Sequence, residues 1–446
     1  MFGKMKKVII ICAAATLLLV GVCLFTEGKS AKNPNAVAVT GNKLAGENMI
    51  LSPKVQAISV RTVNTYTATE QLTAELVERS KEWDITIMAV GDNLMHMGIV
   101  GTGKQSDGSY NFDFLFEGIS EFLAVADIKI INQETILGGN DLGFSGYPRF
   151  NSPVEVGDAI AEAGFNVVLQ ASNHSADKGI EGLLHCVEFW KSHPEVLMVG
   201  IHEEAEESHD IPLLTIKDTT FAILNYTYSP NMSTIPSDIR EHLDILCEWN
   251  RGNGSISFTK LDEQVIQDIE RAEELADVVI VCPHWGNEYA TKPSVYQETF
   301  AQQMVQAGAD LIIGTHPHVL QPVEWVESEN GNRALCYYSL GNYVSTQKNG
   351  LSMLEGMAWV TFHVTEDGIS IKEEKTGIIP MVCQYKSGPV RMDSVYLLEN
   401  YTDELAAAHG ILGYGGVRLE LTDLQQWSNE ILKDMVLPAQ TALDVE

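Results

Sequence analysis

Basic residues are scarce. The 446-residue chain carries 29 Lys and Arg against 60 Asp and Glu, a formal net charge of −31, which argues against binding nucleic acid or anionic lipid through a basic face. The same acidity repels a polyanion at long range, so an anionic ligand needs local help from metal ions or a few placed cations. Cysteine is thin as well, seven in all and none in a CxxC spacing. Cys12 and Cys23 fall in an apolar N-terminal run. Cys186, Cys247, Cys282, Cys336 and Cys383 are scattered and odd in number, a pattern of buried thiols rather than of a disulfide framework or a zinc knot. No internal repeat is evident. The hydrophobic fraction of 45% and charged fraction of 20% describe a folded globular protein with ample length for a buried core.

Lys4, Lys6 and Lys7 precede an uncharged run from Val8 to Phe25. That run is about long enough to cross a bilayer, and the lysines before it predict a cytoplasmic N-terminus; a cleaved signal peptide is the alternative. The expected organisation is a cytoplasmic tip and transmembrane signal anchor over 1–27, an extracytoplasmic stalk over 28–83, a main domain over 84–345, and a C-terminal hairpin with a partly helical tail over 346–446. The protein would then sit in the cell membrane as a single-pass chain with its main domain outside the cytoplasm.

The main domain alternates short apolar runs with helix signals. Ile85 to Gly91 reads as a strand ending on Asp92, and a helix-like segment follows over Phe112 to Ala124. Ile128 to Ile131 leads into Asn132-Gln133-Glu134. Ser152-Pro153-Val154-Glu155 predicts a helix start with Ser152 as N-cap of a capping box, and Gly164 ends that helix. Val167 to Ala171 delivers Ser172-Asn173-His174, and Val278 to Cys282 leads into Pro283-His284. Ser294 to Gln297 caps a helix that stops at Gly308. Leu311 to Ile313 ends in Gly314-Thr315-His316-Pro317-His318, and Ala334 to Tyr338 ends in Ser339-Leu340-Gly341-Asn342. The fold class is α/β, a mixed or parallel sheet covered on both faces, and in such sheets ligands bind beyond the carboxyl ends of the strands. After Asn342, Met357 to Val364 and Ile369 to Glu374 alternate around Glu366-Asp367-Gly368, a hairpin forming either a second sheet or an edge to the first.

Metal-competent or proton-active groups recur at those strand ends: Asp92, Glu134, Asn173, His174, His284, His316 and His318. Two carboxylates, a carboxamide and three ligand imidazoles form an oxygen and nitrogen shell suited to Mn, Fe, Zn or Mg more than to copper. They exceed what one tetrahedral ion needs, and two divalent ions bridged by a carboxylate would use them all. His174 directly follows Asn173 and is the candidate general acid, or a donor to charge in the transition state. Asp177, Glu288 and Asn342 read as supporting or loop-ordering groups, with His96 near the first carboxylate. His185, His193, His202 and His209 lie on polar segments and read as solvated.

Taken in order, GDNLMH (91–96), NQE (132–134), SNHSAD (172–177), HWGNE (284–288), GTHPH (314–318) and SLGN (339–342) resemble the CapA family of poly-γ-glutamate capsule proteins, whose fold resembles calcineurin-like metallophosphoesterases. The resemblance covers about residues 84 to 345. It implies a metallophosphatase-like α/β sandwich with its metal site at strand C-terminal ends. Asp92 and His318 would serve one ion, Asn173, His284 and His316 the other, and Glu134 would bridge. It also implies an anionic polymer such as poly-γ-glutamate as partner, with the membrane and possible polymer-synthase subunits. The activity implied is hydrolysis at a metal centre; the alternative is a non-catalytic polymer-binding or export subunit. Two departures stand out: Leu94 occupies the position of the usual Asp-x-His histidine, and Glu134 replaces a bridging Asp.

Overall fold

The computed structural model describes residues 82–204 and 210–444. The expected anchor, nearly all of the expected stalk and His209 lie outside these residues. Among the described residues no helix is long and apolar enough to cross a membrane.

The chain opens with β1 (Trp83–Asn93) and α1 (Met97–Gly103), then α2 (Ser120–Val125), β2 (Ile128–Asn132), α3 (Glu155–Ala163), β3 (Val167–Leu169), α4 (Gly179–Lys191) and β4 (Leu197–Val199). β5 (Leu213–Ile216), β6 (Thr219–Thr227), β7 (Cys247–Trp249) and β8 (Ile256–Leu261) lead to α5 (Glu263–Leu275), β9 (Val278–His284), α6 (Val295–Ala307) and β10 (Leu311–Ile313). β11 (Val323–Glu327), β12 (Arg333–Tyr337), β13 (Asn342–Val344), β14 (Leu354–Thr365), β15 (Gly368–Ile371), β16 (Gly377–Lys386) and β17 (Arg391–Leu397) follow, and short helices close the chain.

Two sheets result. The first runs β17-β16-β14-β1-β2-β3-β4, with β13 against β1 and β15 against β14; the second runs β11-β12-β10-β9-β6-β5. β1 to β4 are parallel, as are β6, β9, β10 and β12, so the carboxyl ends gather along one edge of each sheet. Side chains alternate across a strand, and this period of two sorts the second sheet's residues into two cores. Phe221, Ile223, Val278, Ile280, Cys282, Leu311, Ile313, Leu335 and Tyr337 join the large cluster that holds the residues of β1 and β14. Their neighbours Ala222, Leu224, Val279, Val281, Ile312 and Cys336 pack with Val265 and Ile269 of α5 and Phe300 and Met304 of α6. Tyr337 bridges the sheets by donating its hydroxyl to the Gly377 carbonyl at 2.9 Å, and Phe221 meets Phe362 edge-on at 6.0 Å. The fold is therefore a mixed α/β sandwich. The five scattered cysteines in the described residues are free and buried.

Three local expectations change. Phe112 to Ala124 is not one helix but two 3-10 turns, Asp113–Leu115 and Glu117–Ile119, before α2. The Ser152 capping box does not form: α3 begins at Glu155 with Val154 as its uncapped N-cap, because the Ser152 hydroxyl pairs instead with that of Thr135 at 2.9 Å. Ser294 and Gln297 do form a complete capping box on α6. The segment after residue 346 contributes more than a hairpin, since β14 pairs with β1 from Trp83↔Val364 to Val90↔Met357, and β16 and β17 extend the sheet beyond it.

Gly91 decides how closely the first sheet approaches the loop before β13. A Cβ there would lie 2.0 Å from the Gly341 carbonyl oxygen, and that closeness lets the Asp92 amide donate to the same oxygen at 3.0 Å. The register of β1 shifts at Asp92, a local irregularity of the kind that re-aims a side chain beside a site. Because Phe221 fills the space between the sheets, Phe221→Ala is expected to cost about 3–5 kcal/mol. Urea unfolding of the full chain should show a lower midpoint at an unchanged slope.

Candidate metal centre

Seven strand-end residues singled out in the sequence meet in one crevice. Asp92 ends β1, Glu134 follows β2, Asn173 and His174 follow β3, His284 ends β9, and His316 and His318 follow β10. All seven are buried. Asn225 of β6 fixes the spacing between the sheets here: its side-chain oxygen accepts the Ala171 amide at 2.7 Å and its amide donates to the Cys282 carbonyl at 2.7 Å. The loop carrying Asn173 and the strand carrying His284 are thereby tied through one carboxamide.

Glu134 stands at the centre. Its Oε1 lies 3.8 Å from His284 Nε2 and 3.9 Å from His174 Nε2, while Oε2 lies 3.7 Å from His318 Nδ1. Neither oxygen has a hydrogen-bond partner, and His316 Nδ1 has none either. Buried unpaired carboxylates are costly, so such groups are normally paired or coordinate a cation. Glu134, His316 and His318 offer ligand atoms that all lie within 4.8 Å of one another. The donor set, oxygen and imidazole nitrogen with no thiolate, fits a divalent ion of the borderline or hard class.

Asp92 is held on several sides. Asn132 donates to its Oδ1 at 2.7 Å, the His316 amide reaches both oxygens at 3.3 and 3.2 Å, and His318 Nδ1 sits 3.0 Å from Oδ2. To place both rings, the turn puts His316 at φ +97° and His318 at φ +58°, a conformation that costs non-glycine residues about 1–3 kcal/mol each. Across the crevice His284 Nε2 meets Asn173 Oδ1 at 3.0 Å, and its Nδ1 meets the Thr315 hydroxyl at 2.9 Å. His174 Nδ1 is 2.8 Å from Asp177 Oδ2, which also accepts the Phe150 amide at 2.6 Å. That pairing turns the other nitrogen of His174 toward the crevice.

The charges follow. Burial first, then the Asp92, Glu288 and Asp177 charges, push the Glu134 carboxyl well above its usual range, against the pull of His318. Burial opposes a charged His318, but Glu134, the Asp92 hydrogen bond and charge, and Glu288 hold it up at about 9. Burial and the neighbouring imidazoles drive His284 and His316 well below the ordinary value, leaving neutral rings suited to ligation.

The remaining candidates stand further out. Leu94 is buried and apolar, so that position supplies no ligand. His96 is pushed down to about 4 by burial; its ring meets Phe150 at 5.4 Å, and Phe150 meets His174 at 4.7 Å. Asn342 spends its amide on the Ser352 carbonyl at 3.1 Å and on Gln347 at 3.1 Å. Glu288 is exposed and acts on the centre through its charge. His185 bonds the Leu137 carbonyl, His193 pairs with Asp158 and His202 with Asp244, so these three are engaged rather than simply solvated. Sequence reasoning missed Asn132 and Thr315, although both lie inside the motifs quoted, and it missed Asn225, Tyr228 and Asn231 altogether. The Tyr228 ring lies 4.7 Å from that of His316, and Asn231 accepts from both the Tyr228 hydroxyl at 3.2 Å and the Asn173 amide at 3.3 Å. Tyr228 and Asn231 belong to a polar loop with no local signal.

A family model described as bacterial capsule synthesis protein PGA_cap matches residues 86–347. The chain is 27% identical over 365 residues to the capsule biosynthesis protein CapA of Bacillus anthracis, covering 81% of this chain and 79% of that protein. It is 28% identical over 247 residues to the PGA biosynthesis protein CapA of Bacillus subtilis (strain 168), covering 53% of this chain and 56% of that protein. A solved structure of a hypothetical protein from Thermus thermophilus aligns with 64% of this chain at 14% identity and a TM-score of 0.35, too remote a likeness to bear on the fold.

The Glu134 and His318 pair retains a proton near neutral pH that a bound cation must displace. Manganese uptake at pH 7 is therefore expected to release protons into weak buffer, and apparent affinity is expected to rise as pH climbs toward 9. Glu134→Gln should weaken uptake by at least about tenfold, taking the lower bound for loss of a metal-site group. Titration with a pH indicator and calorimetry checks both.

Proposed function

Because the chain belongs to the bacterial capsule synthesis protein PGA_cap family, matched over residues 86–347, we propose that it works in capsule polymer synthesis as a metal-dependent hydrolase acting on an anionic polymer or a phosphoester. The observation that carries this reading is the Glu134 carboxylate, whose two unpartnered oxygens face separate groups, His284 with Asn173 on one side and His318 with Asp92 on the other. A carboxylate so placed suits a bridging role between two ions. Divalent ions held by Asp92, Glu134, Asn173, His284, His316 and His318 would supply positive charge to an oxyanion and lower the pKa of water.

The chain's own residues supply the rest. His174 presents Nε2 toward the crevice with Nδ1 fixed by Asp177, so it can give a proton to a leaving oxygen while the Asp177 carboxylate stabilises the imidazolium. Asn132 and the His316 amide hold Asp92 in place, and Thr315 orients His284. Local positive charge also answers the repulsion that a chain of net charge −31 exerts on an anionic substrate. The reading keeps poly-γ-glutamate as the candidate polymer, on the strength of the motif resemblance, and keeps residues 8–25 as a membrane anchor that holds the domain outside the cytoplasm. A second reading, a non-catalytic subunit that binds or exports polymer beside a synthase, is favoured by the apolar Leu94 where a ligand histidine is usual.

Elemental analysis of the purified protein and turnover of a generic phosphodiester separate the two. The expected result is transition metal that is lost in the His316→Ala, His318→Ala double variant, with hydrolysis falling by about 100-fold or more in His174→Ala while metal content stays. Metal absent even after reconstitution, or no turnover by the metal-loaded protein, would sink the hydrolytic mechanism and favour the binding subunit, whereas turnover untouched by His174→Ala would remove His174 from the general-acid role.

A further inference from the structure

Beside the metal centre lies a cavity of about 240 Å³ that no part of the hydrolytic reading uses. It opens one residue beyond His284 and one ring beyond His316. Tyr228, whose ring meets His316 at 4.7 Å, forms the wall shared with the centre, and Trp285, Phe258, Tyr296, Phe300 and Asn287 complete most of the lining. β8 supplies Phe258, the first turn of α6 supplies Tyr296, and the loop after β9 supplies Trp285 and Asn287.

None of the lining residues carries a charge, in a chain where one residue in five does. The polar groups deep in the cavity are already engaged. Trp285 donates its indole N–H to the Tyr338 carbonyl at 3.0 Å, and Gln297 spends its side chain on the Ser294 amide and on Gln321. The Cys247 thiol, pushed up to about 12 by burial, is no nucleophile. Phe258 and Tyr296, by contrast, stand 42% and 44% exposed at the rim, where an apolar ring entering the cavity would cover them. The volume is below the roughly 300–1,000 Å³ that takes a drug-sized ligand, so it suits one ring rather than a stretch of polymer.

We propose that this cavity is a substrate subsite: it takes an uncharged planar ring covalently joined to the anionic group that the neighbouring centre holds, with Phe258 and Tyr296 as the specificity-determining residues. The inference rests on the metal-centre reading above and narrows it. Polyglutamate carries no ring, so the cavity favours the phosphoester class of substrate, a ring-bearing phosphoester above all. Tyr228 stands between the two, with its ring 4.7 Å from that of His316 and also in the cavity wall, so the link between anionic group and ring must pass it.

The test uses the full chain reconstituted with manganese, and calorimetric titration with 4-phenylbutylphosphonate and butylphosphonate, which share the anionic group and a tether able to pass Tyr228 and differ in the ring. The phenylbutyl compound is expected to bind tighter by about tenfold or more, and Phe258→Ala or Tyr296→Ala to bring the two within about twofold by weakening the phenylbutyl compound alone. Equal affinities in the unmodified protein would overturn the subsite and leave the metal centre standing. A preference that survives both substitutions would also overturn it, since the ring then binds elsewhere. If neither phosphonate binds while manganese does, the hydrolytic reading falls and the subsite falls with it.

Discussion

The structure depends on a carboxylate that the protein itself does not satisfy. Glu134 is 1% exposed and both of its oxygens lack a partner. Isolated, a charge in that position is among the least favourable things a fold can contain. The surrounding residues explain why it is tolerated: His318 on one side and His284 with His174 on the other stand just under 4 Å away, beyond contact but close enough for a cation to sit among them. The centre is built around the space between its groups.

Holding that space open requires rigid walls, and the two sheets provide them. Alternation along β6, β9, β10 and β12 commits every second residue to the interface with the first sheet, each buried aliphatic or aromatic side chain contributing roughly 1.5–3 kcal/mol. That stabilisation offsets the strain of positive φ at His316 and His318 and the desolvation of the carboxylates. Asn225, anchored within the second sheet by its bond to the Cys282 carbonyl, then ties that sheet to the first by accepting the Ala171 amide. A shift of one sheet against the other would break the Ala171 contact and leave both partners buried and unpaired, which penalises the displaced arrangement.

Beside the centre the chemistry changes sharply. On one side of Tyr228 are imidazoles and carboxylates, and on the other an uncharged aromatic cavity whose deep polar groups, on Trp285 and Gln297, are already bonded. Tyr228 can serve both because its ring packs on His316 while its hydroxyl reaches Asn231, an amphipathic division of labour typical of tyrosine. The chain's net charge of −31 repels polyanions at long range, so under the proposed function an anionic ligand would be drawn by a cation held at the crevice rather than by the surface.

The local signals carried as far as local physics reaches. Apolar runs closing on Asp92, His284 and the Thr315-His316-Pro317-His318 turn were legible because strand, turn and ligand are contiguous, and the α6 cap was legible because Ser294 and Gln297 need only each other. Ser152 shows the limit: its cap signal is equally good, but Thr135, distant in sequence, competes for the hydroxyl and wins. The segment over 112–124 fails similarly, its apolar residues being recruited by tertiary contacts into tight turns. Which side chains stand at strand ends, and that the sheets are two-faced, follow from spacing along the chain and were readable there. That these ends converge on Glu134, that Asn132, Asn225 and Tyr228 complete the site, and that an aromatic cavity lies next to it came from the packing of the sheets. Those facts depend on distances between residues far apart in sequence, set by how the sheets pack, and no local pattern encodes them.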